Sequence, residues 1–587
     1  MRLIVIVVTL CCFVAPPIDR ADLTEDAAIK LIKQHGGKVE QNGKVVDLSA
    51  QATDAELKEL AALKNLTTLD LSRTRVTGVG LKELAGLKNL TTLDLFETRV
   101  TSAGLKELAA LKNLTTLRLG WSGPLIGDSR EAVQKLSLTG AGLKELAGLK
   151  NLTTLNLLWS NVMDDGWKEL AALKNLSTLN LTYTNVTDSD LKELAALKSL
   201  NALNLTHTSV TDAGLKELAA LKNLTTLNLS ETRVTGTGLQ ELAVLKNLTT
   251  LDLSATKVTG AGLKELAALK NLATLYLRGP GLYAVGAPAA AREPSLNDAG
   301  LKKLAALKNL VTLDLSYTNV TDAGLKELAA LKNLTTLYLT STNVTDAGLK
   351  ELAALKNLTT LNLSWTNVTE AGLKELGALK NLTTLNLSAT NVTGAGMREL
   401  AVLKNLTTLY LRGPGTHMAV SPEAFRKPSL TEAGAKELAA IESLTALDLT
   451  LNNVTAAILK ELAALKNLVA LNLSGTRVTD AEMKELAALR NIRILYLLSS
   501  RDVTDDGFKQ LTTLTNLTIL DLMETKISDT GLMELSAIHG LTHLRVGLTN
   551  VSDAGEEEFK RRNPKCDLTV PSWSEAIKQG SSGVPGG

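Results

Sequence analysis

A 24-residue unit repeats along most of the chain, and this period constrains the fold more than any other feature of the sequence. The best-preserved copies read LKELAALKNLTTLNLSxTNVTDAG, and nineteen copies follow one another from Leu57. Successive copies begin 24 residues apart, except for one step of 25 and three of 38. Such units stack and contact mainly their neighbours, so the 587 residues need not divide into separate compact domains.

Each unit contains two apolar periodicities. Leu57, Leu60 and Leu63 recur at the spacing of one helix face, whereas Leu69 and Leu71 alternate with polar residues. This pattern predicts a helix of about two turns followed by a strand of about four residues. Elements this short cannot bury enough surface alone, and the units must therefore stack on one another.

The ends of the predicted helices carry their own signals. The position of Asn65 is Asn in most copies and Ser or Gly in a few, which predicts a helix that ends in a left-handed residue. The pair Thr211-Asp212 precedes a helix, where its side chains can accept hydrogen bonds from the free amides of the first turn. Gly214 is replaced by larger residues in other copies, so its position requires no special backbone angle.

This pattern resembles the leucine-rich repeat family, whose signature LxxLxLxxNxL is matched by Leu66, Leu69, Leu71 and Val76, with Thr74 in place of the Asn. The resemblance covers residues from about 44 to 570 and is to a type found in exported bacterial proteins. It implies an α/β solenoid, a ribonuclease-inhibitor-like right-handed horseshoe with a parallel β-sheet on the concave face and short helices on the convex face. The threonines in place of Asn are expected to form a hydroxyl ladder between neighbouring coils: Thr74, Thr98, Thr184, Thr208, Thr232 and their equivalents.

The segments outside the regular repeats have distinct compositions. Residues 1–21 have the charged, apolar and small-residue regions of a signal peptide, which predicts export and a secreted, periplasmic or cell-envelope location. The other predicted segments are an N-terminal cap at 22–56, a solenoid of 19 units at 57–550, a C-terminal cap at 551–571 and a disordered tail at 572–587. Insertions of 14 residues lie near 120–138, 279–296 and 413–430, and we expect all three at one rim of the solenoid.

Charge and motifs exclude several functional classes. The net charge is +2, which predicts no binding to nucleic acid, and no segment after residue 21 is apolar enough to insert the mature chain into a membrane. We find no catalytic, cofactor-binding or metal-binding motif, because the five histidines follow no ligand spacing. The chain is therefore predicted not to be an enzyme and to need no cofactor. Its oligomeric state is left open.

Aromatic residues break the repeat at or just after strand positions that face the concave side. Trp121, Trp159, Tyr183 and His207 occupy one position in four successive units, where they could form a continuous ring surface. The alternative is that aromatic residues are simply tolerated at a partly exposed edge. The candidate ligand-binding residues are Phe96, Trp121, Trp159, Tyr183, His207, Tyr276, Tyr317, Tyr338, Trp365 and Tyr410.

These features favour a non-catalytic recognition scaffold that binds a protein or a cell-envelope polymer through the concave sheet and the rim loops. The family resemblance supports binding only by analogy, because a fold does not fix a function. Two alternatives stay open at this point. One is a structural or spacer protein without a specific ligand, which the many Thr, Asn and Ser residues on the concave side favour. The other is a carbohydrate-binding module, with a polysaccharide partner, that uses the aromatic row.

Overall fold

The computed structural model describes residues 24–48, 52–121, 138–163, 166–280, 296–392, 394–413 and 430–581. The predicted signal peptide at 1–21 and the interiors of the three insertions lie outside these residues. The chain divides into two compact units, residues 1–227 and 228–587, with the boundary inside the strand Thr226–Asn228.

The sheet of unit 1 begins with one strand of an N-terminal hairpin. The seven short strands that follow it in this sheet are parallel. β1 is antiparallel to β2, and the order then runs β2, β3, β4, β5, β7, β9 and β10, while β6 pairs with β8. The strands are β1 (Lys38–Glu40), β2 (Val45–Asp47), β3 (Thr68–Asp70), β4 (Thr92–Asp94), β5 (Thr116–Gly120), β6 (Leu138–Thr139), β7 (Thr154–Leu158), β8 (Val162–Met163), β9 (Thr178–Asn180) and β10 (Ala202–Asn204). The helices are α1 (Glu25–Gln34), α2 (Leu57–Leu60), α3 (Gly140–Leu146), α4 (Gly166–Leu170), α5 (Asp188–Leu194) and α6 (Asp212–Leu218), with 3₁₀ helices at Gln41–Gly43, Gly80–Gly86 and Ser102–Ala110.

After the boundary strand β11 (Thr226–Asn228), unit 2 continues the pattern, and each strand from β12 to β23 is parallel to the next. The strands are β12 (Thr250–Asp252), β13 (Thr274–Tyr276), β14 (Thr312–Asp314), β15 (Thr336–Tyr338), β16 (Thr360–Asn362), β17 (Thr384–Asn386), β18 (Thr408–Tyr410), β19 (Ala446–Asp448), β20 (Ala470–Asn472), β21 (Ile494–Tyr496), β22 (Ile519–Asp521) and β23 (His543–Arg545). The helices are α7 (Leu239–Leu242), α8 (Asp298–Leu304), α9 (Asp322–Leu328), α10 (Asp346–Leu352), α11 (Glu370–Leu376), α12 (Glu432–Leu438), α13 (Ala456–Leu462), α14 (Asp480–Leu486), α15 (Asp505–Gln510), α16 (Asp529–Leu535), α17 (Asp553–Arg562) and α18 (Trp573–Ser581), with 3₁₀ helices at Gly262–Ala268, Met397–Val402 and Leu511–Thr513.

The predicted α/β solenoid is confirmed in each unit. In the coil that begins at Leu57, the helix residue Leu60 and the strand residues Leu69 and Leu71 are fully buried, and the same positions are buried in later coils. The strands pair in register, so that Leu275 lies opposite Leu313 and Leu313 opposite Leu337. One leucine-rich core therefore runs between the strands and the helices of each unit, and residues on either side of each central Leu project from the other face of the sheet.

The first turn of the helix differs between coils. In the coils of α6, α9 and α10 the residue that follows the Thr before the helix is Asp, and seven-residue α-helices follow. Gly78 and Gly260 stand at the same position in coils that form 3₁₀ helices, but Gly140 begins the seven-residue α-helix α3, so this residue alone does not determine the helix type. An Asp in the first turn interacts favourably with the free amides there, and Gly provides no such interaction.

Two predicted polar features are wrong in their details. The threonine hydroxyls do not join neighbouring coils, because Thr74 Oγ1 donates to Leu71 O at 2.6 Å within its own coil, as Thr184 Oγ1 does to Leu181 O at 2.6 Å. At this position the hydroxyl bonds within its own coil, whereas Asn452, the one residue that restores the family Asn, reaches Leu411 O of the neighbouring coil at 2.7 Å.

The asparagines at the position of Asn65 in each coil are not left-handed helix caps either, because none of them has a positive φ. Instead, the side chain joins the coils: Asn89 Nδ2 donates to Lys64 O at 2.9 Å, and Asn357 Nδ2 donates to Lys332 O at 2.9 Å. An aspartate adds a second link, since Asp322 accepts from both the amide and the hydroxyl of Thr345 in the next coil, at 2.8 and 2.6 Å. The coils are therefore coupled by side chains on the helical side of the solenoid.

Thr342→Val should destabilise unit 2 by about 1–3 kcal/mol. Valine keeps the shape of threonine but removes the hydroxyl, and the buried carbonyl of Leu339 loses that hydrogen bond. Thr342 is buried, and its Oγ1 donates to Leu339 O at 2.7 Å. Urea unfolding monitored by circular dichroism measures the change. Thr336→Val is the matched control on the open sheet face, and it should alter stability little. Equal stability of the Thr342 variant and the parent would show that this hydroxyl only fills space.

The predicted disordered tail is wrong for residues 573–581, which form the helix α18. Ser572 begins this helix, since its amide and hydroxyl both donate to Glu575 Oε2, at 2.9 and 2.6 Å. Trp573 and Ala576 are buried against β19 to β22. Composition alone indicated a loose segment because the apolar surface that α18 covers lies far away in the sequence.

Candidate functional site

The candidate aromatic residues occupy two kinds of position in the structure. Tyr276, Tyr338 and Tyr410 end their strands and lie on the open face of the sheet of unit 2. Most of the other candidates lie two or three residues after the last residue of a strand, in the turn that follows it. Only one group of candidates forms stacked ring contacts with each other among the described residues, and it lies in unit 1: Trp159, Tyr183 and His207.

The three rings of this aromatic stack come from successive coils. Trp159 and Tyr183 have ring centroids 4.2 Å apart and are inclined by 14°, and Tyr183 and His207 lie 4.3 Å apart at 34°. Tyr183 therefore has a neighbouring ring on each side. Trp159 is 38% exposed, and His207 is also exposed. The stack thus presents ring edges from three coils as one exposed surface.

A left-handed turn holds each ring of the stack. Trp159, Tyr183 and His207 have φ angles of 55°, 57° and 54°. The strand residue three positions earlier stabilises the turn, as Asn180 Oδ1 accepts from the Thr182 amide at 3.0 Å, and Asn204 Oδ1 from the Thr206 amide at 2.9 Å. The Tyr183 amide then donates to Thr206 O at 2.9 Å in the next coil. These bonds fix the backbone and leave the rings in adjacent positions.

The left-handed turn belongs to the repeat and is not a mark of the site. Residues of many types adopt it in other coils, among them Arg73, Ala255, Ser341 and Leu548, with φ between 52° and 60°. Backbone strain at a single position often indicates function, but here it recurs along the chain. What distinguishes the aromatic stack is therefore its side chains.

Two other candidates of unit 1, Trp121 and Phe96, form no ring contact with the aromatic stack in the described part of the chain. Trp121 is outside the left-handed turn, because β5 continues through Gly120, whose φ is 130° and which pairs with Leu158. No ring contact joins Trp121 to Trp159 within the described part of the chain. Phe96 is buried beneath the Arg118 guanidinium, which lies 4.2 Å from the ring centroid. The ring contacts among the described residues therefore join Trp159, Tyr183 and His207 and do not include Trp121.

The remaining turn residues are separate from one another. The Arg278 guanidinium lies 4.7 Å from the centroid of the Tyr317 ring, which gives that ring a cationic neighbour. Trp365 has the same turn geometry as Trp159, with φ 58°, but its neighbours at this position are Ser341 and Ala389. Trp365 therefore presents one ring, where the aromatic stack presents three.

The strand tyrosines lie among carboxylates. Burial raises the pKa of Tyr276, and the carboxylates of Asp252 and Asp314 on the neighbouring strands raise it further. Burial also raises the pKa of Tyr338 and of Tyr410, with Asp314 and Asp448 as the charged neighbours. These hydroxyls stay protonated at neutral pH and can donate hydrogen bonds, but they are poor bases.

The described residues offer little for covalent or metal chemistry. Among them, no group of three or more His, Cys, Asp or Glu side chains is placed to hold a metal ion. Burial raises the pKa of the Cys566 thiol to about 11, and the thiolate needed for nucleophilic attack is scarce at neutral pH. No described helix is long and apolar enough to span a bilayer.

Sequence reasoning missed a second surface, which lies on the open face of the sheet in unit 2. The residues involved are Tyr496, on β21, and Trp573, on α18, whose rings meet edge to face with centroids 5.4 Å apart. A signal was present, since Thr gives way to Ala446, Ala470 and Ile494 at the first position of three successive strands. The spacing of Trp573, Ala576 and Ile577 also fits one face of a helix.

A family model described as a leucine-rich repeat region matches residues 167–426 and 296–485, which together are more than half of the chain. A second model, described as a leucine-rich repeat, matches residues 62–85, 86–109 and 513–536. No curated protein sequence matches the chain significantly.

Solved structures resemble the chain at low sequence identity. TLR13, solved in complex with ssRNA13, is 20% identical with a TM-score of 0.54, and the match covers 83% of this chain and 67% of that one. An internalin of Listeria monocytogenes is 20% identical with a TM-score of 0.39, covering 68% and 90%. A leucine-rich repeat protein of Leptospira interrogans is 23% identical with a TM-score of 0.38, covering 89% and 100%. At these identities the likeness concerns the fold.

Proposed function

The chain belongs to the leucine-rich repeat family, and we propose that it is a non-catalytic recognition scaffold that binds a protein partner through the aromatic stack of unit 1. The observation that carries the proposal is the exposed stack of Trp159, Tyr183 and His207. The pattern of residues 1–21 supports an exported protein, with the partner at the cell envelope or outside it.

The ordering of the rings favours a protein partner. Large rings that are already fixed lose little conformational entropy on binding, and Trp and Tyr are enriched at the energetic centres of protein interfaces. The stacking contacts and the turn bonds restrict these rings before any partner arrives. The aromatic stack is therefore preorganised for contact with a complementary surface.

The same geometry argues against sugar binding along the row. A sugar packs against the open face of a ring, but neighbouring rings stand only 4.2 and 4.3 Å apart. No sugar ring can enter between them, and Tyr183 has a neighbour on both faces. Nucleic acid is also disfavoured, because the net charge of +2 supplies no general attraction to phosphates.

Trp159→Ala should weaken partner binding by more than about 1 kcal/mol, or about fivefold in Kd, if the aromatic stack is at the centre of the interface. The chain lacking residues 1–21 is used to capture proteins from envelope extracts, and the captured protein is then titrated against each variant. A glycan array is probed in parallel.

Trp365→Ala is the matched control, because it removes a ring from the same turn position where no ring stack exists. It should leave binding unchanged. If both variants bind the captured protein as tightly as the parent, the aromatic stack is not the site. Glycan binding that Trp159→Ala abolishes, with no protein captured, would replace the protein partner with a carbohydrate.

A further inference from the structure

The C-terminal helix α18 covers the open face of the sheet in unit 2. α17 packs on α16 as the last helix of the coil stack, and Phe559 of α17 is fully buried there. The residue Asp567 forms a parallel bridge with His543 of the last strand. By contrast, α18 packs on β20 and β21, which precede the last strand by three and two positions. Its position is not that of a terminal cap.

The sheet face is apolar where α18 lies. The first residue of each strand from β12 to β18 is Thr, but in β19 to β22 it is Ala446, Ala470, Ile494 and Ile519. All four are at most 5% exposed and form one cluster with Trp573 and Ala576, against which Ile577 also packs. The substitutions in the sheet and the apolar face of α18 are therefore complementary.

The directional contacts between α18 and the sheet lie at the N-terminal end of the helix. Trp573 packs edge to face on Tyr496, and the Tyr496 hydroxyl donates to Pro571 O. The indole Nε1 of Trp573, however, is buried and has no hydrogen-bond partner in the described structure. An unpaired buried donor opposes docking, so the surface does not fit this helix perfectly.

The apolar surface extends beyond α18. A groove with a volume of about 470 Å³ runs along the Ile577 side of the helix, over Ala446 and Ala470 towards Tyr410. It is continuous with the interface beneath α18, and side chains of the helix form one of its walls. The groove has room for several apolar side chains that α18 does not provide.

We propose that this face of unit 2 is a binding surface for an amphipathic helix of a partner protein, and that α18 is its built-in occupant. The partner places a large apolar residue where Trp573 lies, and a small and a branched residue three and four positions later. Phe or Leu at the first position avoids the unpaired indole N–H. A free helix of nine residues is unstable in water, so α18 unfolds when the partner displaces it. This surface is separate from the aromatic stack of unit 1.

The test uses a fluorescent peptide of residues 570–581 as the probe and the full chain as its receptor. In the parent chain the site is occupied, and we expect weak binding. Trp573→Asp places a charge in the apolar cluster and undocks α18, which should tighten peptide binding at least tenfold. Adding Ala470→Asp to that variant should abolish binding. Thr336→Asp, at the same strand position outside the cluster, should leave it unchanged.

Two outcomes of the peptide titration overturn the proposal. One is a folded Trp573→Asp chain that binds the peptide no better than the parent does. The other is binding that survives Ala470→Asp. Hydrogen exchange of the parent chain gives a second measurement that does not depend on the variants folding. We expect the amides of 576–580 to exchange through local opening, much faster than those of β20. If the amides of 576–580 and those of β20 all exchange only on global unfolding, α18 is a fixed part of the fold and the proposal fails.

Discussion

Arg545→Met should destabilise the C-terminal coils by about 3–5 kcal/mol, because it leaves a buried carboxylate without its cation. Arg545 on β23 pairs with Asp521 on β22 through its Nε, at 3.0 Å, and through a second, shorter contact from Nη2. The Asp521 side chain is 0% exposed. Urea unfolding of the variant and the parent measures the loss.

A pair with the same strand geometry provides the control. Arg118 on β5 bonds to Asp94 on β4 at 3.0 Å, but that carboxylate is 19% exposed and the arginine is 40% exposed. Water can replace the lost cation there, and Arg118→Met should cost only about 0–1 kcal/mol. Asp521→Asn in the Arg545→Met background should recover part of the stability. Similar losses at both sites would mean that burial does not determine the strength of these pairs.

The burial of Asp521 follows from elements that lie far apart in the sequence. Tyr496 on the neighbouring strand β21 has its pKa raised by burial and then by the Asp521 carboxylate, which shows that the two side chains share a poorly solvated region. Trp573 of α18 packs on Tyr496 and helps to exclude water. The sequence places Asp521 at an ordinary strand position, where most coils that have Asp or Asn leave it half-buried, although Asp448 and Asn472 are also buried.

The core and the strand register could be predicted because they depend on local periodicity. Leu69 and Leu71 alternate with polar residues, and the strand Thr68–Asp70 forms at that place. The 24-residue period aligns equivalent leucines, and the parallel pairing of Leu69 with Leu93 follows from it. The three 38-residue steps leave this register intact, as shown by Leu275 opposite Leu313 across the second insertion.

Side-chain partners could not be predicted from the period alone. The period predicts an inter-coil ladder at Thr74 and a helix cap at Asn65, but it is the asparagine position that links the coils. The left-handed turn was also missed, because Trp159 and Tyr183 stand where such a turn usually has Gly or Asn.

Phe508→Ala should destabilise the C-terminal coils by about 3–5 kcal/mol, through lost burial and the cavity that remains. Phe508 lies in α15 and is fully buried, at the position that holds Leu in most coils. The preceding coil, which begins at Met483, has 25 residues, and α15 continues into the 3₁₀ helix Leu511–Thr513. The larger ring therefore follows directly after the coil that is one residue longer, and it is enclosed where other coils enclose a leucine.

Phe508→Leu separates the effect of the ring from the effect of an apolar residue as such. It restores the common residue of the repeat but buries three fewer carbon atoms, which should cost about 2 kcal/mol at about 0.8 kcal/mol each. Because coils interact mainly with their neighbours, hydrogen exchange should accelerate in α15 and α16 and stay unchanged in unit 1. If the leucine variant is as stable as the parent, the core at this position repacks around leucine. If exchange accelerates equally throughout the chain, the coils unfold as one cooperative unit.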